Sequence, residues 1–374
     1  MATIERTPHG TYRARWRNPQ GQTRSRSFKT RKDATNYLRA IESDIHTGHY
    51  TDPQAGKARL TDWINEWHTG RIGLRPTTTA RDDSYIRSLI LPHVGTLQLR
   101  QLTPAVIRNW IQTIHQTHAA ATVQKAHQLL KASLQAAVRD GLIATNPADD
   151  TPLPRLEKTE HRYLTIDEVH SLAATIDPRY RALVYTGALA GLRPGELAAL
   201  HIDDLDLLRR TLHVERTATE VSGHLAYGPP KTAAGRRTIT IPDVLINFIA
   251  AHLANYPSDT PFVFTSATGK PIRWTGLRRR AWKRGVVESV GTPCTPKDLR
   301  HTHAALSIAE DVHPKVLQAR MGHSSIAITM DTYGGLFSGF DEGIATALDE
   351  AFSQPRVSEM RQIRDSKVID LPGQ

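Results

Sequence analysis

The stretch Ala190-Gly191-Leu192-Arg193-Pro194-Gly195-Glu196-Leu197 places a proline directly after an arginine and a glutamate three residues after it. Proline suits the first helical position, where its missing N–H would have had no partner. Arg193 then stands at a helix N-terminus, beside unpaired N–H groups that favour an anion. Glu196 lies one turn further on and can face back towards Arg193. Alone, the stretch reads as a helix cap with an ion pair.

Three stretches downstream carry comparable residues. Pro229-Pro230-Lys231-Thr232-Ala233-Ala234-Gly235-Arg236-Arg237-Thr238 reads as a basic hairpin tip leading into a strand. Its glycine spacing is wrong for a P-loop. Thr295-Pro296-Lys297-Asp298-Leu299-Arg300-His301-Thr302-His303 puts Lys297 and Arg300 on one side of a helical turn. His301 and His303, two apart, would suit a metal only with ligands from elsewhere. No His-Glu-x-x-His and no acidic triplet accompanies them, so neither a metal nor another cofactor is expected. Met321-Gly322-His323 comes next, and ten residues after His323 stands Tyr333, inside Asp331-Thr332-Tyr333-Gly334-Gly335.

Working outward, this part of the chain opens on Thr165-Ile166-Asp167-Glu168, a capping box. Helical patterns then alternate with strand patterns at Thr211–Glu215, Arg237–Ile241 and Phe262–Phe264. Ahead of it, Asn146–His161 holds Pro147, Pro152 and Pro154 among polar residues, a linker composition. Residues 60–145 read as all-helical. Trp63, Ile64 and Trp67 start one helix; Tyr85, Ile86 and Leu89 mark a second that Pro92 should end. Thr103-Pro104 caps a third with the stripe Val106, Ile107, Trp110, Ile111 and Ile114. Val123, Leu130, Leu134 and Val138 carry a fourth, stopped by Gly141.

Residues 10–28 alternate: Tyr12, Ala14 and Trp16 on one strand face, Arg13, Arg15 and Arg17 on the other. After the turn signal Asn18-Pro19-Gln20-Gly21, Arg24 and Arg26 repeat the two-residue spacing. A helix with Ala34, Tyr37, Leu38, Ile41 and Ile45 on one stripe follows. The first 57 residues carry eleven Lys/Arg against five Asp/Glu, so a strand face of arginines could read phosphates.

The chain has 374 residues and a formal net charge of +11, which favours a polyanionic partner, nucleic acid first. Arginine outnumbers lysine 36 to 12, consistent with bidentate phosphate contact or with a GC-rich genome. The single cysteine, Cys294, excludes an intrachain disulfide and a thiolate metal cluster. No apolar run has the roughly 18 residues of a membrane span, and Met1–Arg6 lacks a signal-peptide core, so a cytoplasmic protein without membrane contact is expected.

Taken in order, Gly-Leu-Arg-x-Gly-Glu, Pro-Lys-Thr, Leu-Arg-His-Thr, Gly-His and Asp-Thr-Tyr-Gly resemble the tyrosine site-specific recombinases, the lambda-integrase-like family of phage and mobile-element integrases. Ile90-Leu91-Pro92-His93-Val94-Gly95 with Leu102-Thr103-Pro104 resembles their core-binding domain, and the first segment resembles the arm-site-binding domain of the larger members. The resemblance implies a multidomain fold: a small N-terminal α+β domain at 1–57 (three-stranded sheet plus helix), an all-α core-site domain at 58–147, a linker at 148–161, a mixed α+β catalytic domain at 162–354 and a polar tail at 355–374. It implies that Arg193 and Arg300 hold the scissile phosphate, that Lys231 is the hairpin lysine, and that His323 is a further donor. Lys297 stands where histidine is commoner, Tyr333 is the nucleophile, and Glu196 is an acidic support. Arg13, Arg15, Arg17, Arg24 and Arg26 are the N-terminal DNA contacts.

The implied partners are double-stranded DNA with core and arm sites, a homotetramer on synapsed duplexes, and an accessory DNA-bending or directionality factor. Ile344, Leu348 and Phe352 would form a C-terminal helix docking on a neighbouring protomer or on its own domain. The implied reaction is transesterification through a 3′-phosphotyrosyl bond, which conserves bond energy and so needs neither ATP nor metal. Two arginines would stabilise the charge that gathers on the non-bridging oxygens. The alternatives are DNA relaxation by a type IB topoisomerase and a non-catalytic DNA-binding protein on the same scaffold.

Overall fold

Three antiparallel strands open the chain, β1 (Thr3–Arg6), β2 (Tyr12–Arg17) and β3 (Thr23–Phe28), in the order β1-β2-β3. The computed structural model describes residues 3–19, 21–47, 55–157, 161–221, 223–291, 293–337 and 340–353. The expected tail at 355–374 lies outside them. The chain divides into two compact units, 1–159 and 160–374.

In the first unit, α1 (Arg31–His46) starts at Thr30, whose side chain accepts from the Asp33 N–H. It lays Ala34, Leu38 and Ile41 on Ala14 and Trp16. Strand register corrects the expectation of one arginine face. Arg24 lies opposite Trp16 and Arg26 opposite Ala14, and cross-strand partners share a face. Both therefore belong to the helix side, where the Arg26 guanidinium covers the Tyr37 ring at 5.0 Å. Arg13, Arg15 and Arg17 oppose Ser27, Ser25 and Thr23 on the outer face. Glu5 pairs with Arg15 at 3.0 Å and Arg13 at 3.8 Å.

The other α-helices described in this unit are α2 (Leu60–Thr69), α3 (Pro76–Tyr85), α4 (Leu91–Val94), α5 (Pro104–His115) and α6 (Ala120–Arg139). Their core contains Leu60, Ile64, Ile107, Ile114, Leu130 and Leu134, all fully buried. Each such side chain contributes roughly 1.5–3 kcal/mol. Buried tryptophan N–H groups find carbonyls: Trp63 donates to Ser133 O at 3.0 Å and Trp110 to Leu89 O at 2.7 Å. Pro92 does not end the second helix. A π-helical turn at Ile86–Ile90 carries α3 into α4, and Pro92 sits in the first turn of α4, where it needs no donor. Thr103 caps α5 as expected. Residues beyond Asn146 stay on these helices: Ala148 is buried, its carbonyl lies 3.1 Å from His127 Nε2, and Gln124 donates to Pro154 O at 2.9 Å.

The second unit starts with α7 (Ile166–Thr175), whose Thr165–Glu168 capping box is formed in both directions. Then come α8 (Arg181–Ala190), α9 (Pro194–Ala198), β4 (Leu205–Asp206), β5 (Thr211–Val214), β6 (Thr217–Val221), β7 (His224–Gly228) and β8 (Arg237–Thr240). They are followed by α10 (Asp243–Asn255), α11 (Trp274–Leu277), α12 (Lys283–Ser289), α13 (Pro296–Ala309), α14 (Pro314–Met321), α15 (Ile326–Tyr333) and α16 (Phe340–Ser353). A β4-β5-β8 sheet and a separate β6-β7 hairpin stand beside the helices. Two expected strands are present as β5 and β8. Phe262–Phe264 is not a strand: Phe262 makes a single bridge to His201. The hairpin turn falls between β6 and β7, so Lys231 lies after the hairpin, in the connection to β8, and not at its tip. In α16, Leu348 and Phe352 are exposed; the Ile344 side chain lies outside the described residues.

Candidate active site

The site is organised by the C-terminal end of α14. Gly322 takes φ +63°, the left-handed conformation glycine adopts without cost. Its N–H bonds to Ala319 O at 3.0 Å and that of His323 to Gln318 O at 3.1 Å, a Schellman closure. Three successive carbonyls at this helix end are left to other donors. Arg237 Nε donates to Arg320 O at 2.7 Å, Arg300 Nη2 to Met321 O, and Arg193 Nη2 to Gly322 O at 2.9 Å. Three cations thus meet the negative end of one helix dipole.

Each guanidinium has a second anchor. Arg300, on α13 and buried, donates to Gly191 O at 2.7 Å. Gly191, at φ +66°, closes α8; a Cβ there would stand 2.4 Å from the His303 ring. Arg193 donates to Glu196 Oε1 at 2.7 Å, and its backbone N–H to Oε2 at 2.9 Å, the ion-paired cap expected from sequence. Arg237 grips the same carboxylate at 2.9 and 3.2 Å. Burial would raise the Glu196 carboxyl, but the Arg237 hydrogen bonds and charge, with Arg193, outweigh it and hold it below the usual range, ionised. Burial and the Arg193 charge press Arg300 down to about 9, which leaves it a cation at neutral pH.

Tyr333 ends α15 with only 1% of its surface exposed, packed on Ala304, Ile308, Leu317 and Met321. Its Oη lies 2.9 Å from His301 Nδ1. The His323 ring stacks alongside at 6.4 Å and 14°, its Nδ1 2.9 Å from Thr329 Oγ1. Burial pushes the phenol up to about 12, although the Arg300 charge pulls it down. Burial, and then the Arg300 and Arg193 charges, push His323 down to about 4. Burial, with His161 and Lys297, does the same to His301. Both imidazoles are neutral at pH 7.

His303 belongs to the core: Arg320 donates to its Nε2 at 2.9 Å, so its Nδ1 carries the proton and donates to Ala188 O. Lys297 is exposed in the first turn of α13, and Lys231 is exposed on the β7–β8 connection. Among the described residues, no group of three or more His, Cys, Asp or Glu could hold a metal ion.

Sequence reading misses three things. Arg237 shares a strand face with buried Ile239, a period-two signal that could have found it. The His301–Tyr333 contact spans 32 residues and has no local signal. The run Arg278-Arg279-Arg280-Ala281-Trp282-Lys283 buries only Trp282 fully; its four cations are exposed, and among the described residues none pairs with a carboxylate. Here the signal was compositional and plain.

Residues 162–336 match the family described as "Phage integrase family", and residues 59–115 match "Phage integrase, N-terminal SAM-like domain". Together they span more than half of the chain. The chain belongs to the phage integrase family. This tyrosine recombinase of the lambda-integrase type is 27% identical over 358 residues to the integrase of Mycobacterium phage L5, covering 91% of this chain and 95% of that protein. The Tn1549 transposon integrase in complex with transposon right end DNA matches with a TM-score of 0.66 and 22% identity, over 79% of this chain and 100% of that one. A lambda integrase tetramer bound to a Holliday junction matches with a TM-score of 0.59 and 18% identity, over 88% of this chain and 94% of that one. These two likenesses concern the fold. The chain is an enzyme, a site-specific DNA recombinase; neither the topoisomerase alternative nor a non-catalytic DNA-binding protein is favoured.

Proposed function

We propose that this recombinase cleaves duplex DNA by attack of Tyr333 Oη on a phosphodiester, forming a 3′-phosphotyrosyl bond and a free 5′-hydroxyl. A 5′-hydroxyl of the partner strand then reverses the step. The observation that carries the reading is the convergence of Arg193, Arg300, His323 and Tyr333 at the end of α14. The described bonds of Arg193 and Arg300 use two of the five N–H donors on each side chain. The remainder are available to the non-bridging oxygens, and their positions are fixed before substrate arrives, which is what electrostatic stabilisation requires. His323 supplies a further donor. Lys231, on its exposed connection, serves as the acid for the departing 5′-oxygen. Lys297 contributes positive charge.

In this reading residues 1–57 bind arm sites and 58–147 bind core sites. The linker 148–161 joins them to the catalytic domain, and four copies act on two duplexes with an accessory bending or directionality factor. Arg13, Arg15 and Arg17 form the outer contact face of the first domain. The Arg278–Lys283 run adds phosphate contacts from the catalytic domain. Among the described residues no helix is long and apolar enough to cross a membrane, and we place the chain with bacterial DNA in the cytoplasm.

A two-substrate recombination assay run beside supercoil relaxation tests this. Wild-type chain joins paired attachment-site DNAs and Tyr333→Phe does not. Relaxation of any supercoiled plasmid without joining would favour the topoisomerase reading instead.

A further inference from the structure

We infer that His301 is the group that takes the Tyr333 proton as the phenol oxygen attacks phosphorus, an inference that rests on Tyr333 being the nucleophile. A buried hydroxyl needs an acceptor for its proton. Among the described hydrogen bonds, the only partner of Tyr333 Oη is His301 Nδ1, at 2.9 Å. The two rings meet edge to face, with centroids 5.7 Å apart and planes at 60°. That aims the imidazole nitrogen at the hydroxyl. The orientation of His301 is set from behind by His161, whose ring stacks on it at 4.1 Å and 18°. An imidazole whose Nδ1 accepts carries its own proton on Nε2.

Among the described residues, no neighbouring side chain takes the place of His301 as the hydrogen-bond partner of Tyr333 Oη. Lys297, one turn earlier on α13, presents an ammonium, which has donors only. Asp298 spends Oδ2 on the Thr295 N–H at 2.7 Å and the Thr295 hydroxyl at 2.8 Å. His323 turns its Nδ1 to Thr329. Arg300 and Arg193 face the phenol as cations, and Tyr163 faces it as a second phenol.

With the phenol near 12 and His301 near 4, the proton stays on oxygen in the resting site, and Tyr333 is inert. It moves only as the new bond forms, because the acidity of the oxygen rises steeply when it becomes bonded to phosphorus. The Oη–P bond forms and the P–O5′ bond breaks, with its electron pair on O5′. The phenol proton passes to Nδ1, giving an imidazolium, and O5′ takes a proton from Lys231. On rejoining, the imidazolium returns its proton to the leaving phenol.

His301→Asn separates the roles. The amide oxygen can still accept the phenol hydrogen bond, but it cannot take the proton. The probe is a nicked duplex from the direct repeat flanking the element that encodes the chain. The readout is single-turnover formation of the covalent adduct between about pH 6 and 9, with melting temperature and DNA binding as controls. The expectation is a slowing of about 10²–10⁴-fold, a rate that climbs about tenfold per pH unit where wild type is flat, and partial rescue by a fluorinated tyrosine of lower pKa at position 333. An unchanged rate and profile overturns the inference. So does a slowed rate that neither climbs with pH nor responds to the fluorinated tyrosine, since that is positioning alone. The histidine tautomer, read by nitrogen NMR on the DNA-free full chain, gives a second test that needs no folding-competent variant. Protonation of His301 at Nε2 supports the inference, and at Nδ1 overturns it. If wild type itself forms no adduct, it is the reading of Tyr333 that fails, whatever His301 does.

Discussion

Glu196 is the residue on which the arginines depend. It is buried and ionised, and it receives four side-chain and backbone bonds from Arg193 and Arg237. Removing one partner of a buried pair costs more than the pair itself contributes, because a charge is left behind. Arg237→Ala should therefore destabilise the chain by about 3 kcal/mol, measured by urea unfolding, and lower cleavage with it. A loss under ~0.5 kcal/mol, the range of ordinary surface substitutions, would mean Arg237 is not structural. The histidines predict a pH dependence at the same scale. His301 and His323 sit near 4 and His303 near 3, against 6.5 when unfolded. Well above pH 6.5 all three are neutral in both states. As pH falls from 6.5 towards 4, the unfolded chain takes protons that the folded chain refuses, so stability falls. The melting temperature should drop across that window, and less steeply in His303→Gln. Equal slopes for the two proteins would contradict the assignment of His303.

At the scale of elements, the end of α14 fixes the site. A Cβ at Gly322 would stand 2.8 Å from Ala234 O and 3.0 Å from Arg237 Nη1, on a backbone that side chains rarely adopt. Gly322→Ala should cost more than the ~1 kcal/mol of the left-handed conformation alone and should shift the carbonyl that holds Arg193. Cleavage should fall while DNA binding persists; wild-type cleavage rates would show that the Schellman closure does not position the arginines. Elements also show what sequence can and cannot disclose. The caps at Thr103, Thr165 and Arg193 are local chemistry and were legible residue by residue. Pro92 misleads because a π-helical turn absorbs it, a feature without a sequence signal. Arg24 and Arg26 change faces because strand register depends on pairing across the sheet, not on spacing within one strand. Motif order singles out the arginines, His323 and Tyr333, and the fold brings them together at the end of α14. The burial of Tyr333 and its bond to His301 come from packing between distant helices, which periodicity cannot encode.

For the whole molecule, the +11 charge and the exposed Arg278–Lys283 run predict DNA affinity that falls steeply with salt, since each neutralised phosphate releases counterions. Replacing Arg278, Arg279 and Arg280 with alanine should flatten the salt slope by up to about three; an unchanged slope would exclude the run from the interface. Removing residues 1–57 should leave core-site binding and strand cleavage in place and reduce arm-dependent recombination. The central claim concerns one oxygen. On a nicked suicide substrate the 5′-side fragment diffuses away and rejoining stops, so the covalent intermediate accumulates. Mass spectrometry of the digested adduct should find the nucleotide on the peptide containing Tyr333, attached through its phenol oxygen, and Tyr333→Phe should give no adduct while still binding DNA. A nucleotide on any other residue, or an adduct formed by Tyr333→Phe, would contradict the account.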